Sequence, residues 1–168
     1  MKKLMSFMAV IAALVLFYSC REDRMELVGT AWDVVIYQEQ FAGYTMWSPD
    51  YVSGSVDFEY SSGEVKLLVK SSIWDNYWYT FGEDEYDIVK SSAKELVIDL
   101  FWYEYDDVDK DDLDYIETFN GKKIYREYWN GDYYYYYFLS NGHAVDICRG
   151  DDYWYDKVRL HCRRTYYD

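Results

Sequence analysis

Two histidines and two cysteines in the C-terminal part of the chain, His143, Cys148, His161 and Cys162, carry the side chains that bind transition metals. Their spacing does not match the paired-ligand patterns of zinc sites. Adjacent side chains of a strand point to opposite faces of a sheet, so His161 and Cys162 would be separated in the predicted last strand. We therefore predict no metal site from these residues.

An acidic segment at residues 106–114 imitates the start of a calcium-binding loop, because Asp107, Asp109 and Asp111 alternate as they do in an EF-hand. An EF-hand needs glycine at the sixth position and glutamate at the twelfth. Here those positions hold Asp112 and Thr118. The segment is better interpreted as a solvated loop between two strands.

The sequence contains none of the common catalytic motifs. A Gly-x-Ser-x-Gly elbow, a glycine-rich phosphate loop and a His-Glu-x-x-His pair are all missing from it. The 31 acidic residues guarantee carboxylate pairs at many spacings, so such pairs carry no information about glycoside hydrolysis. We predict a protein that is not an enzyme and needs no cofactor.

The N-terminus has the pattern of a secretory signal. Lys2 and Lys3 precede an uncharged apolar run at residues 4–17, and Ser19 and Cys20 follow it. The run is shorter than the about 20 apolar residues that span a bilayer. We expect it to direct export.

Residues 16–20, Leu-Phe-Tyr-Ser-Cys, resemble the lipobox of bacterial lipoprotein precursors, although Phe17 and Tyr18 are bulkier than usual. The resemblance implies cleavage before Cys20 and acylation of its thiol and new amine. Several acyl chains, including palmitate, would anchor the protein stably in a lipid bilayer. Glu22 and Asp23 resemble the acidic tether of surface-exposed lipoproteins, so we expect an outer-membrane location on either the periplasmic or the cell-surface side.

These features predict a signal peptide at residues 1–19, a tether at 20–26 and one folded domain at 27–168. The formal net charge of −14 repels phosphate backbones, so a nucleic-acid partner is not expected. Aromatic residues make up 22% of the chain, a content that disordered acidic segments lack.

The elements that must position any site are predicted to be β-strands. Asn-Gly occurs at residues 120–121, 130–131 and 141–142, each time between runs rich in Tyr, Trp and Phe, which is typical of tight hairpins. We predict an all-β fold, a single antiparallel meander closed as a barrel, with an open meander or a sandwich as the alternative. Strands are expected at residues 34–37, 56–60, 65–70, 77–81, 86–90, 95–103, 115–149 (the meander) and 156–166.

A two-residue turn at Asn141-Gly142 would pair Phe138 with Val145 and Tyr136 with Ile147. One face would then hold Tyr134, Tyr136, Phe138, Val145 and Ile147, and the other Tyr133, Tyr135, Tyr137 and Leu139. We expect one face in the core and the other to be a partly wet tyrosine surface. That surface would either dock a partner or a sugar, or simply reflect the strand preference of tyrosine.

The segment at residues 27–32, with Gly29 and Trp32, resembles the Gly-x-Trp motif at the start of lipocalins, with Ala31 as one extra residue. The resemblance implies a closed barrel with Trp32 at its closed end, under a basic residue of the last strand. Arg159 and Arg163 are the candidates. It also implies a cavity for a small apolar molecule.

Residues 38–54 form the longest irregular stretch and still contain Tyr44, Trp47 and Tyr51. Long connections in compact domains are often binding loops, so we expect these rings to contact the ligand, with capping of the core as the alternative. The predicted function is a lipid-anchored binding module of the cell envelope for a small apolar molecule or a glycan. The alternative is a structural or protein-interaction component without a cavity.

Export would permit a disulfide between Cys148 and Cys162. Strand alternation opposes it, because Cys162 shares the face of Val158 and Leu160, whereas Cys148 points away from Ile147. A β-bulge would reverse this parity, so the sequence leaves both a disulfide and two free thiols open.

Overall fold

The computed structural model describes residues 24–101 and 104–165, and most of them form antiparallel β-strands, which confirms the all-β prediction. Two short 3-10 helices, Ser72–Trp74 and Lys110–Asp112, interrupt the strands. No helix in the described ranges is long and apolar enough to cross a membrane. The strands are β1 Ala31–Phe41, β2 Tyr44–Trp47, β3 Gly54–Ser61, β4 Glu64–Ser71, β5 Trp78–Phe81, β6 Tyr86–Ser91, β7 Glu95–Phe101, β8 Glu104–Tyr105, β9 Asp114–Phe119, β10 Lys122–Trp129, β11 Asp132–Phe138, β12 Ala144–Arg149, β13 Trp154–Tyr155 and β14 Lys157–Arg164.

The larger sheet has the order β5-β4-β3-β1-β14-β7-β6 and curls strongly into a half-barrel, with β2 added to β1. The last strand pairs with the first, so that Trp32 lies opposite Arg164 and Gln40 opposite Lys157. Alternating side chains fill the concave side, as the period of two requires. The core there consists of Leu27, Trp32, Val34, Tyr37, Val52, Val56, Phe58, Val65, Leu67, Val69, Tyr86, Leu96, Ile98, Leu100, Val158, Leu160 and Cys162.

The smaller sheet contains the predicted meander, in the order β13-β12-β11-β10-β9, with β8 added to β12. At Asn120-Gly121 and Asn130-Gly131 both residues have positive φ, and the flanking residues pair directly. These are the two-residue turns that Asn-Gly predicts. The expectation of one continuous meander is wrong, because β1, β14 and β7 form a separate sheet with long-range pairings.

The third Asn-Gly makes a different turn, and the predicted register of β11 and β12 is wrong by one residue. Gly142 has a φ of +92°, whereas Asn141 is not among the residues with positive φ. The amide of Leu139 donates to the carbonyl of His143 over 2.9 Å, and that of Gly142 donates to Leu139 over 3.1 Å. This is a three-residue loop with a glycine bulge, which pairs Phe138 with Ala144.

A shift of one residue moves every side chain of one strand to the other face relative to its partner. Tyr137 and Ile147 therefore lie together in a second core cluster, with Phe41, Ile124 and Trp154. The opposite face is also covered: Tyr136 is buried there, beside Tyr105 at a ring distance of 6.1 Å. The prediction of one wet tyrosine face is wrong, because only the hairpin end, including Tyr133, is strongly exposed.

The long strand β1 belongs to both cores, since it places Trp32 in the first cluster and Phe41 in the second. It extends four residues, 38–41, into the stretch that was predicted to be irregular, and after the turn at Ala42-Gly43 the chain returns as β2. The irregular part is thus limited to residues 48–53. The prediction of one long loop is wrong, because a two-residue turn converts most of it into a hairpin.

Candidate functional site

A cavity of about 490 Å³ is lined by residues from both sheets. Seven of the nine lining side chains are aromatic and two are acidic. They are Trp74, Tyr79, Phe81, Glu85, Phe101, Tyr105, Tyr134, Asp146 and Tyr155. Phe101 ends β7 opposite Lys157, at the other end of the β14 ladder from Trp32 and Arg164.

The wall from the larger sheet is built around Trp74. This residue ends the 3-10 helix after β4, whose first turn is capped by the hydroxyl of Ser71 accepting from the amide of Ile73 over 3.2 Å. The Trp74 ring lies 5.4 Å from Tyr79 and 6.2 Å from Phe81, measured between ring centroids. Behind it, Tyr37 makes an edge contact at 5.8 Å. These contacts fix the indole in place as a wall of the cavity.

The wall from the smaller sheet depends on the register of β11 and β12. Asp146 lies opposite Tyr136, and Tyr134 shares that face because it is two residues earlier in the same strand. Tyr136 is held by a 2.6 Å hydrogen bond from its hydroxyl to Glu127 Oε1. The observed pairing therefore directs Tyr134 and Asp146 into one cavity.

Burial raises the pKa of Asp146 to about 6. Burial also raises the pKa of Tyr105, with a further contribution from the nearby charge of Asp146. The same two causes raise the pKa of the Cys148 thiol to about 12. A carboxylate with a pKa of about 6 is mostly ionised at neutral pH, so Asp146 brings a negative charge to an aromatic cavity.

The second acidic group of the cavity, Glu85, is fixed by its own loop. Its Oε2 accepts a 2.6 Å hydrogen bond from the amide of Gly82. Among the described residues that line the cavity there is no lysine, arginine or histidine. The arrangement suits binding through ring faces and negative charge.

None of the three rings predicted to bind a ligand lines this cavity. Tyr44 and Tyr51 are 70% and 78% exposed, respectively. Trp47 is nearer, because its ring lies 5.9 Å from that of Tyr37, which in turn contacts Trp74. Trp47 thus supports the cavity wall from behind, one ring removed from the cavity.

Trp32 is completely buried, and its indole N–H donates to the hydroxyl of Thr30 over 2.8 Å. The guanidinium of Arg164 lies 5.0 Å from the centre of its ring. A last-strand arginine therefore covers the indole, but it is neither of the two that were predicted. Arg159 binds Asp99 instead, and Arg163 is exposed.

Gly29, the other residue of the Gly-x-Trp-like segment, adopts a φ of +75° just before β1. Its amide donates to the carbonyl of Phe58 over 3.1 Å. The left-handed backbone explains why glycine stands here. This end of the sheet is held by backbone and ring contacts and is remote from the cavity along β14.

Cys148 and Cys162 are both free, Cys148 half-buried and Cys162 buried in the first core cluster. In the described part of the chain, no group of three or more His, Cys, Asp or Glu side chains is arranged to hold a metal ion. In the acidic segment, Asp109 caps a 3-10 helix by accepting from the amide of Asp111 over 2.9 Å. Cys20, the predicted acylation site, lies outside the described residues.

Sequence reasoning missed both Trp74 and Asp146. Trp74 follows a predicted strand without any motif, and the two-residue turn predicted at Asn141-Gly142 would place Asp146 on the face opposite Tyr134. The Gly142 position alone would have allowed the three-residue loop as well as the two-residue one.

No protein-family model matches the chain, and no curated protein or solved structure shows significant similarity to it.

Proposed function

We propose that this protein is a non-enzymatic binding module that holds a small, largely apolar or aromatic-stacking molecule in the cavity between the two sheets. The observation that carries the proposal is the lining of seven aromatic rings around about 490 Å³. Cavities of about 300–1,000 Å³ with mainly apolar walls and a few polar groups are typical of small-molecule sites.

The fold that we propose for this module is a lipocalin-like barrel. Across the gap between β4 and β6, the hydroxyl of Tyr86 donates to the carbonyl of Val65 over 3.0 Å. The carboxylate of Glu83 accepts a hydrogen bond from the amide of Val65 over 2.8 Å. Among the described residues no strand pairs with this side of β4 at Val65, and side chains take over its hydrogen bonds there. This supports a barrel completed by side chains at that edge.

We further propose that the module is exported and anchored in a lipid bilayer through acylated Cys20, most simply in the outer membrane. The apolar run before Ser19 and Cys20 supports export and a lipid anchor. Labelled palmitate fed to expressing cells should enter the wild-type chain and not the Cys20→Ala chain. Equal labelling of both would overturn the anchor.

Binding in the cavity is tested with the neutral fluorescent probe N-phenyl-1-naphthylamine and the full chain carrying Cys20→Ala. We expect saturable fluorescence enhancement that Tyr134→Ala weakens about tenfold, because one ring of the wall is lost. Tyr133→Ala is the matched control, since this neighbouring tyrosine is 53% exposed and does not line the cavity. Equal effects of the two substitutions would refute the proposed site.

A second candidate function is docking to a protein of the envelope through the end of the β10–β11 hairpin. Tyr128, Trp129 and Tyr133 are 65%, 64% and 53% exposed there, and the rings of Tyr128 and Tyr133 lie 4.9 Å apart. Clustered exposed rings are enriched in interfaces. If this is the function, chemical crosslinking in cells should capture a complex with the wild type and not with Trp129→Ser, whereas binding of the fluorescent probe should be the same in both. A complex that persists in Trp129→Ser would exclude the hairpin as the docking site.

A further inference from the structure

The cavity wall combines aromatic rings with acidic side chains. Rings cover most of it, and its only charged members among the described residues are two carboxylic acids, Glu85 and Asp146. An ordinary apolar ligand would gain nothing from the half-buried carboxylate of Asp146, because covering a charge with an apolar group is costly. Asp146 therefore needs an explanation that a purely apolar ligand does not provide.

The two acids approach the cavity from different sheets. Asp146 belongs to β12, whereas Glu85 precedes β6, and its backbone carbonyl accepts from the amide of Phe101 over 3.2 Å. Faces of Trp and Tyr rings carry negative electrostatic potential and attract cations, most strongly where water is excluded. Trp74, Tyr79 and Tyr134 add such rings to the two carboxylates. Both kinds of group favour a positive charge in the same space.

We propose that the ligand of this cavity is an organic cation, a molecule with an ammonium group and an apolar body, whose charge is bound by Asp146 and the surrounding aromatic rings. This inference rests on the proposed function as a small-molecule binding module and specifies its ligand class. An anionic ligand is disfavoured, since the lining offers it no basic side chain within the described residues. The formal net charge of −14 also raises the local concentration of cations around the protein.

Three probes of similar shape test the proposal: benzyltrimethylammonium, its neutral carbon isostere neopentylbenzene, and the anion phenylmethanesulfonate. Each is titrated against N-phenyl-1-naphthylamine bound to the full chain carrying Cys20→Ala, at pH 7.5 and low salt. We expect the cation to displace the dye at a concentration about tenfold lower than the neutral isostere, from combined ion-pair and cation–π attraction. The anion should not compete.

The variant Asp146→Asn keeps the shape of the side chain and removes its charge. It should reduce the preference for the cation over the neutral isostere about tenfold, while binding of the dye itself is retained. Glu59→Gln is the matched control, because it makes the same change in net charge at an exposed position of β3 outside the cavity. It should leave the preference unchanged.

The outcomes separate this inference from the proposed function. If the dye binds and the neutral isostere competes as well as the cation, the organic-cation proposal fails while small-molecule binding stands. An unchanged cation preference in Asp146→Asn would overturn the role of Asp146. If no probe, including the dye, binds to the wild-type cavity, both the inference and the proposed function fail.

Discussion

Tyr136 lies directly opposite Asp146 in the ladder between β11 and β12, and this pairing turns the Asp146 carboxylate toward the aromatic cavity. The register that a two-residue turn at Asn141-Gly142 would impose places Ile147 opposite Tyr136 instead. A difference of one residue in one turn thus decides whether an aliphatic or an acidic side chain shares the face of Tyr134.

The carboxylate of Asp146 should destabilise the fold at neutral pH. Its pKa is raised by burial from 3.8 to about 6, so the folded chain binds more protons than the unfolded chain between these values. Stability from this group therefore falls as pH rises from about 4 to about 6. Asp146→Asn should raise the free energy of unfolding at pH 7 by about 1–2 kcal/mol after allowance for solvent screening.

Urea unfolding of the wild type and Asp146→Asn at pH 4, 5, 6 and 7 measures this effect. The difference between the two chains should shrink as the pH falls, since Asp146 is then neutral in the folded state. Glu59→Gln, at an exposed position, should show no such trend. If Asp146→Asn were less stable than the wild type at pH 7, the Asp146 carboxylate would stabilise the fold, and the prediction would be wrong.

The Asp99–Arg159 pair should contribute to stability with the opposite pH dependence. Asp99 is 3% exposed and accepts two bonds from Arg159, at 2.6 and 2.7 Å, and an ion pair from Lys157 at 3.1 Å. Burial alone would raise its pKa, but the bonds from Arg159 and Lys157 outweigh burial and lower it. The resulting stability is present above the unfolded pKa of about 4 and is lost as pH falls through the folded value.

Arg159→Met should cost about 2–3 kcal/mol of unfolding free energy at pH 7, because it leaves a buried carboxylate with only a partly exposed lysine. Arg163→Met, an exposed change in the same strand, is the control and should cost little. The double variant Asp99→Asn, Arg159→Met should recover part of the loss. Similar losses for Arg159→Met and Arg163→Met would show that the ion pair contributes nothing measurable.

Arg164 should stabilise the end of the larger sheet through its contact with the buried ring of Trp32, 5.0 Å from the guanidinium. Arg164→Leu keeps much of the side-chain volume and removes the charge. We expect a loss of about 1 kcal/mol, typical of a cation–π contact at a partly buried site. In a Trp32→Phe background the same substitution should cost less, and an undiminished cost there would exclude the ring as the partner.

The three Asn-Gly turns should respond differently to alanine. Asn130 has a φ of +52°, so Asn130→Ala forces alanine into the left-handed region and should cost about 1 kcal/mol. Asn141 lacks a positive φ, and its side chain only accepts from the amide of His143 over 3.1 Å. Asn141→Ala should therefore lower the free energy of unfolding by less than Asn130→Ala. Gly142→Ala should lower it more than either, because Gly142 holds a φ of +92°. Urea unfolding measures all three, and equal losses for Asn130→Ala and Asn141→Ala would support a two-residue turn at Asn141-Gly142 instead.

Part of this protein is determined by local sequence. Asn120-Gly121 and Asn130-Gly131 specify their hairpins because asparagine and glycine tolerate positive φ at both positions of the turn. The alternation of apolar and polar residues around Val65 and Val158 specifies strands, since one face of each is buried in the curled sheet. These signals act over a few residues, so they can be read directly from the chain.

Other features depend on contacts that local sequence does not encode. The resemblance of residues 27–32 to the lipocalin motif implied a basic residue over Trp32, and only the pairing of β1 with β14 decides that it is Arg164. The stretch after Gln38 looked irregular because it lacks a strand pattern, yet it continues β1 to Phe41, and the pairing of β2 with β1 orders it as far as Trp47. The cavity needs Trp74 from one sheet and Asp146 from the other, 72 positions later in the chain. The sequence by itself determined most of the strands and two of the three Asn-Gly turns. The tertiary structure decided the register, the division into two sheets and hence the site, because these follow from packing between distant segments.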